Sequence, residues 1–109
     1  MQTVNRIKAL REKVHAWRQA GLKVALVPTM GNLHQGHMSL VAHAQKNADR
    51  VVVSVFVNPL QFGPAEDFND YPRTLEHDQG LLVQANANLL FAPPVFEIYP
   101  LGHERTTTI

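Results

Sequence analysis

The segment Pro28-Thr29-Met30-Gly31-Asn32-Leu33-His34-Gln35-Gly36-His37 holds two histidines three positions apart and two glycines, between an apolar run and an amphipathic stretch. A loop that leads from a strand into a helix is suited to bind an anion. The helix N-terminus presents unpaired N–H groups and a positive dipole end, and glycine lets the backbone approach a phosphate. His34 and His37 fall at the first helical turn, where each can donate a hydrogen bond to phosphate oxygens. Donors aimed at charge that develops in a transition state contribute several kcal/mol. Two other readings stay open at this point: half of a zinc site, although no cysteine or nearby third ligand accompanies the pair, and two uninvolved surface histidines. A Walker-type phosphate loop is excluded, because no Gly-Lys-Ser/Thr follows the glycines.

A second segment, Asn58-Pro59-Leu60-Gln61-Phe62-Gly63, is expected on the same rim. Asn58 and Gln61 are neutral amides that both donate and accept, suited to a substrate's hydroxyls or carboxylate. Taken alone, Asn-Pro is also a plain turn signal. His15, His43, His77 and His103 have no partner at a telling spacing and are read as surface residues. The acidic residues show no paired-carboxylate pattern, and no protein-built metal site is expected.

The elements that must position these groups follow from periodicity. Val4, Ile7, Leu10, Val14 and Trp17 recur at steps of three and four, which predicts a helix of four or five turns with Thr3 as N-cap and Gly21 just past its end. Val24-Ala25-Leu26-Val27 reads as a strand covered on both faces that stops at Pro28. Leu40, Val41, Ala44 and Ala48 mark one face of a helix from about His37 to Ala48. Val51 to Val57 is a second buried strand, and the breaker-rich stretch 58–72 is a long loop. Thr74 opens a third helix with Leu75, Leu81, Leu82 and Ala85 turned inward. Leu89-Leu90-Phe91-Ala92 is a third strand, ended by Pro93-Pro94.

Alternating strands and helices predict an α/β domain with a parallel sheet, three strands of it, amounting to half of a doubly wound sheet. Ligands in that architecture bind at the carboxyl ends of the strands. The first strand would be an open edge lined by Val24 and Leu26, able to recruit another chain, so a dimer or larger species is expected.

Composition sets the outer limits. The chain has 109 residues, 45% of them hydrophobic, enough for one ordinary core and too few for two domains. Ten Lys and Arg against nine Asp and Glu give a net charge of +1, so no basic field points to nucleic acid or an anionic membrane. There is no cysteine, which removes thiol chemistry and fits a cytoplasmic location. No apolar run reaches the ~20 residues of a membrane span. The N-terminus does not read as a secretion signal, and there is no internal repeat.

The segment Met30 to His37 resembles the HxGH signature of adenylate-forming nucleotidyltransferases, specifically that of the pantoate-beta-alanine ligase family. Val53-Ser54-Val55-Phe56-Val57-Asn58-Pro59-Leu60-Gln61-Phe62, Tyr71-Pro72-Arg73-Thr74-Leu75, Phe91-Ala92-Pro93 and Glu97-Ile98-Tyr99-Pro100 are similar to that family in order and spacing. The resemblance implies a Rossmann-like parallel sheet with flanking helices. Residues 1–109 would form the N-terminal part of the nucleotide-binding domain, with the family's C-terminal remainder absent. It implies ATP-dependent condensation of pantoate with beta-alanine through a pantoyl adenylate, releasing AMP and pyrophosphate, with Mg2+. Met30, Gly31, Asn32, Leu33, His34, Gln35, Gly36 and His37 would contact ATP. His34 and His37 would stabilise the phosphates, with His37 as proton donor, and Gln61 with Asn58 would bind pantoate and later beta-alanine. A cytoplasmic homodimer is implied. The alternatives are a non-catalytic nucleotide- or pantoate-binding module and another HxGH nucleotidyltransferase.

Overall fold

Successive residues of a strand point to opposite faces of a sheet, so a strand buried at every position must be covered on both sides. Val51, Val52 and Val53 meet that condition, each no more than 1% exposed. In the computed structural model, which describes residues 1–61 and 73–100, they lie in one of the two strands that pair on both edges. The elements run β1 (Gln2–Val4), α1 (Ile7–Gln19), β2 (Val24–Thr29), α2 (Gln35–Asn47), β3 (Arg50–Val55), a 3-10 turn (Pro59–Gln61), α3 (Leu75–Gln84), β4 (Leu89–Phe91) and α4 (Val95–Ile98). The sheet order is β1-β4-β3-β2, and every pairing is parallel. Helices cover both faces of this α/β sheet. On one side Val27, Val51, Val53 and Leu90 pack with Leu33, Val41 and Leu82 from the α2 and α3 side. On the other, Val4, Val52, Leu89 and Phe91 pack with Ile7, Leu10, Val14 and Trp17 of α1.

Several expectations are corrected. Val4 is not in the first helix: residues 2–4 form a fourth strand, with Thr3 opposite Leu90 in the register, so Thr3 is no N-cap. The helical spacing misled because Val4 and Ile7 feed the same apolar cluster from two different elements. Helix α1 begins at Ile7 after Arg6, and Glu97 Oε2, from the far end of the chain, accepts the Ile7 amide at 2.9 Å. Gly21 does follow the helix, at φ +80, where glycine costs least.

Pro28 does not end β2, which runs on to Thr29. Thr29 turns its carbonyl to β3 and accepts from the Phe56 amide at 3.0 Å. Alternation then aims the Pro28 nitrogen at the open edge, where its missing N–H breaks no ladder bond. That edge position also explains why β2 is not covered on both faces, with Leu26 58% exposed. Val55, not Val57, ends β3, and α2 starts two residues before His37, at Gln35. Leu40 and Leu75 face outward, while Val41 and Leu82 are buried. The short helix α4 was not anticipated. Of the breaker-rich stretch, residues 62–72, with Phe62, Gly63, Tyr71 and Pro72, lie outside the described residues, as does His103.

The topology carries Asn5, Met30, Phe56 and Ala92, the residues that directly follow β1, β2, β3 and β4, to a single rim of the sheet. Leu82 anchors α3 beneath that rim with no exposed surface. Leu82→Ala is expected to destabilise the fold by about 2–5 kcal/mol through lost burial and a residual cavity, read as a lower urea midpoint with an unchanged slope.

Candidate functional site

The first loop on the rim is shaped by its backbone. Gly31 at φ +83 and Asn32 at φ +52 are successive left-handed residues. This pair of turns points the amides of Asn32 and Leu33 at one carboxylate, that of Asp78: Asn32 donates to Oδ2 at 3.1 Å and Leu33 to Oδ1 at 2.9 Å. The Thr74 hydroxyl lies 3.3 Å from both oxygens. Asp78 has no exposed surface. A Cβ on Gly31 would come within 3.1 Å of Val55 Cγ1 and 3.2 Å of Asp78 Oδ2, so both the backbone angle and the space favour glycine. Leu33 plugs the loop into the core at 4% exposure. On the other side, Thr29 Oγ1 donates to the Ser54 carbonyl at 2.9 Å and accepts the Gly31 amide at 3.1 Å.

The histidines stand where the loop becomes α2. His34 is the N-cap, its Nδ1 accepting the Gly36 amide at 3.0 Å, while Nδ1 of His37 accepts the His34 amide at 3.2 Å. This is a reciprocal capping box built from two imidazoles in place of a hydroxyl and a carboxylate. The ring centroids are 4.3 Å apart at a 52° tilt. A Cβ on Gly36 would lie 2.8 Å from His34 Cε1, so the glycine between the histidines makes room for the first ring to fold back on the helix. An Nδ1 that accepts from the backbone puts the neutral ring's proton on Nε2. Both rings therefore offer Nε2–H as a donor.

The amides of His37 and Met38 are held by the His34 carbonyl, at 3.0 and 3.2 Å. The expected cradle of bare helix amides is thus largely replaced by imidazole donors. His37 binds its proton less tightly than an ordinary imidazole, first because of burial and second because of neighbouring His34, with the Asp78 charge partly opposing.

Two open clefts flank the loop. One, of about 590 Å³, is walled by Thr29, Met30, Gly31, His37, Phe56 and Asn58. The other, about 610 Å³, also touches Met30, Gly31 and Phe56 and extends over Asp78 toward Arg6 and Pro93. Of the residues expected at the site, Met30, Gly31, His37 and Asn58 are brought together in the first cleft. Asn32, His34, Gln35 and Gly36 are exposed and are not among the residues that wall it, and Leu33 is committed to the core. Gln61 ends the 3-10 turn that follows Asn58, and its side chain lies outside the described residues. His15, His43 and His77 are exposed, as expected. Asp78 was missed. Its signal was a carboxylate four residues before Leu82 on the inward face of an amphipathic helix, where an acid needs donors. Among the described residues no group of three His, Cys, Asp or Glu could hold a metal ion.

Known proteins match this chain in sequence and fold. The family model described as pantoate-beta-alanine ligase matches residues 2–109. Pantothenate synthetase of Hydrogenovibrio crunogenus is 53% identical over the whole chain, which spans 38% of that relative's length. That of Alcanivorax borkumensis is 58% identical over 97% of the chain and 37% of its own length. The solved pantothenate synthetase of Thermus thermophilus superposes with a TM-score of 0.83 at 48% identity, covering all of this chain and 38% of the other. A pantoate-beta-alanine ligase from Francisella tularensis, complexed with beta-gamma ATP and beta-alanine, superposes at 0.80 with 39% identity, covering 94% of this chain and 39% of its own.

The His37 imidazole is expected to titrate below about 6.5 in an NMR pH series, with the midpoint rising in His34→Ala and falling further in Asp78→Asn. The folded chain holds this proton less tightly than the unfolded one. The stability contributed by His37 is therefore present above about pH 6.5 and is lost as the pH falls through the folded-state midpoint.

Proposed function

The chain belongs to the pantoate-beta-alanine ligase family, and from that membership we propose that its rim is the nucleotide and acyl-substrate part of an adenylate-forming ligase site. The observation that carries the reading is the imidazole capping box, which commits both Nδ1 atoms to the backbone and leaves Nε2–H as the donor of each ring, with His37 on the wall of a cleft. In the proposed reaction the pantoate carboxylate attacks the α-phosphate of ATP. The bond to pyrophosphate breaks and a pantoyl adenylate forms. The amine of beta-alanine then attacks the acyl carbon, AMP leaves and pantothenate results.

In the first step negative charge grows on the phosphoryl oxygens. Nε2–H of His37, on the cleft wall, and of His34, whose ring centroid lies 4.3 Å from that of His37, are the groups assigned to donate to them, acting from fixed positions that need no reorganisation. The weakened proton affinity of His37 favours a neutral ring near pH 7, one that donates a hydrogen bond, so proton donation in the strict sense belongs to lower pH. Asn58 faces the same cleft and is assigned with Gln61 to pantoate and then beta-alanine. For Mg2+ the described residues do not fit a protein-built site, because the oxygens of Asp78, the carboxylate nearest the loop, are already engaged by two amides and a hydroxyl. No step here is assigned to it.

The chain spans about 38% of the length of the curated relatives it matches, and alignment of both substrates is itself worth ~7–11 kcal/mol of barrier. The test is pantoate-dependent exchange of labelled pyrophosphate into ATP. Exchange that drops about 10²–10³-fold in His37→Ala supports the reading. If exchange never rises above the variant's level while ATP still moves the His34 and His37 ring signals, the chain binds nucleotide without catalysing. We also propose a cytoplasmic homodimer that binds neither nucleic acid nor membrane. The half-exposed Leu26 on the edge strand β2 supports self-association. Among the described residues no helix is long and apolar enough to cross a membrane. Leu26→Lys is expected to shift a dimer toward monomer in sedimentation velocity, and an unshifted dimer would place the interface elsewhere.

A further inference from the structure

The segment Glu97-Ile98-Tyr99-Pro100 has no part in the chemistry above, yet it returns to the rim. Glu97 holds the start of α1, and Tyr99 reaches back across the sheet to donate its hydroxyl to Asn58 Oδ1 at 2.9 Å. The same oxygen accepts the Leu60 amide at 3.0 Å. A backbone N–H can only donate, so the atom it meets is the amide oxygen, which tells Oδ1 from Nδ2 and leaves the Tyr99 hydroxyl as the second hold on that oxygen. With two donors on Oδ1, the free capacity of Asn58 is on Nδ2, for which the described residues supply no partner. Asn58 lines the cleft beside His37.

We propose that Tyr99 is a positioning residue that locks Asn58 with its Nδ2 hydrogens toward the cleft, so that this point recognises only a hydrogen-bond acceptor, a carboxylate or hydroxyl oxygen of the acyl substrate. The inference rests on the reading of this cleft as the acyl-substrate subsite. It adds a sign to it: an Asn58 free to flip would serve donors and acceptors alike, whereas one held by Tyr99 rejects an ammonium group. The Tyr99 ring also packs against Phe56, centroids 6.3 Å apart, so removing the hydroxyl alone leaves that contact in place.

The experiment compares the chain with Tyr99→Phe by NMR, following the Asn58 side-chain amide and its χ2 couplings, with D-pantoate and ATP as separate probes. The unaltered chain is expected to show one Asn58 rotamer and a pantoate-dependent shift of Nδ2. In Tyr99→Phe the couplings should average between rotamers, and the pantoate concentration for half-maximal shift should rise about tenfold, equivalent to about 1.4 kcal/mol. ATP-induced shifts of the His34 and His37 rings should be unchanged, and Asn58→Asp, which replaces donors by acceptors, should abolish the pantoate response.

Unaveraged couplings in Tyr99→Phe, or an unaltered pantoate response, would overturn the proposal. Loss of the pantoate and ATP responses together would assign Tyr99 a merely structural role and overturn it as well. An unaltered chain silent to pantoate but responsive to ATP overturns this inference and leaves the nucleotide site standing. Silence to both removes the broader reading too.

Discussion

A carboxylate without exposed surface is tolerated only where donors replace water, and the loop that carries the chemistry is organised around one such group. Asp78 projects from α3 and takes the amides of Asn32 and Leu33, with the Thr74 hydroxyl close to both oxygens. An isolated buried carboxylate would cost several kcal/mol, and amides left without partners would cost a further ~1–3 kcal/mol, order-of-magnitude figures that make the two sides mutually dependent. The left-handed backbone at Gly31 and Asn32 is sustained by this bond pair and by Leu33 in the core. The helix that supplies Asp78 is in turn set against the sheet by Leu82. The rim's geometry thus rests on a polar contact seated in an apolar layer.

From that anchor the donor capacity is relayed outward. A helix N-terminus in water offers amides directly, but here one first-turn amide is closed by the His34 ring, two by its carbonyl, and the His34 amide itself by the His37 ring. What remains to donate is a pair of Nε2–H groups whose tautomer is set by those same bonds. Side-chain donors extend farther from the helix axis than amides do, and an anion bound to them still gains from the positive end of the helix dipole. Asp78 enters again as a nearby charge that partly restores the proton affinity of His37 while burial and His34 weaken it. The glycine between the histidines is explained by the room the His34 ring needs, a steric reason separate from close approach to a ligand.

The second side of the cleft is governed from elsewhere. Asn58 follows β3, but its amide oxygen accepts from the hydroxyl of Tyr99, just beyond α4, as well as from the Leu60 amide, and the start of α1 is held by Glu97 from that helix. A helix of only four residues thereby ties both the first helix and the second polar segment to the end of β4. The open edge at β2, where Pro28 and Leu26 face outward, is the counterpart on the opposite side of the sheet.

Local signals carried much of this in the sequence itself. Uninterrupted β-branched residues at 51–53 mark a strand covered on both faces, and the glycines and histidines of 31–37 mark a strand-to-helix loop with donor chemistry. Both are legible because a few adjacent residues decide them, and the motif segments were specific enough to indicate the family. The tertiary structure decided what depends on partners far along the chain. Residues 2–4 became a strand because β4 lay ready to pair with them. Asp78 acquired its role from amides 45 and 46 positions away, and the Asn58 oxygen met a hydroxyl 41 positions away. Periodicity reports which face of an element is apolar. It says nothing of which buried acid meets which amide, because that is settled only when α3 closes on the loop after β2.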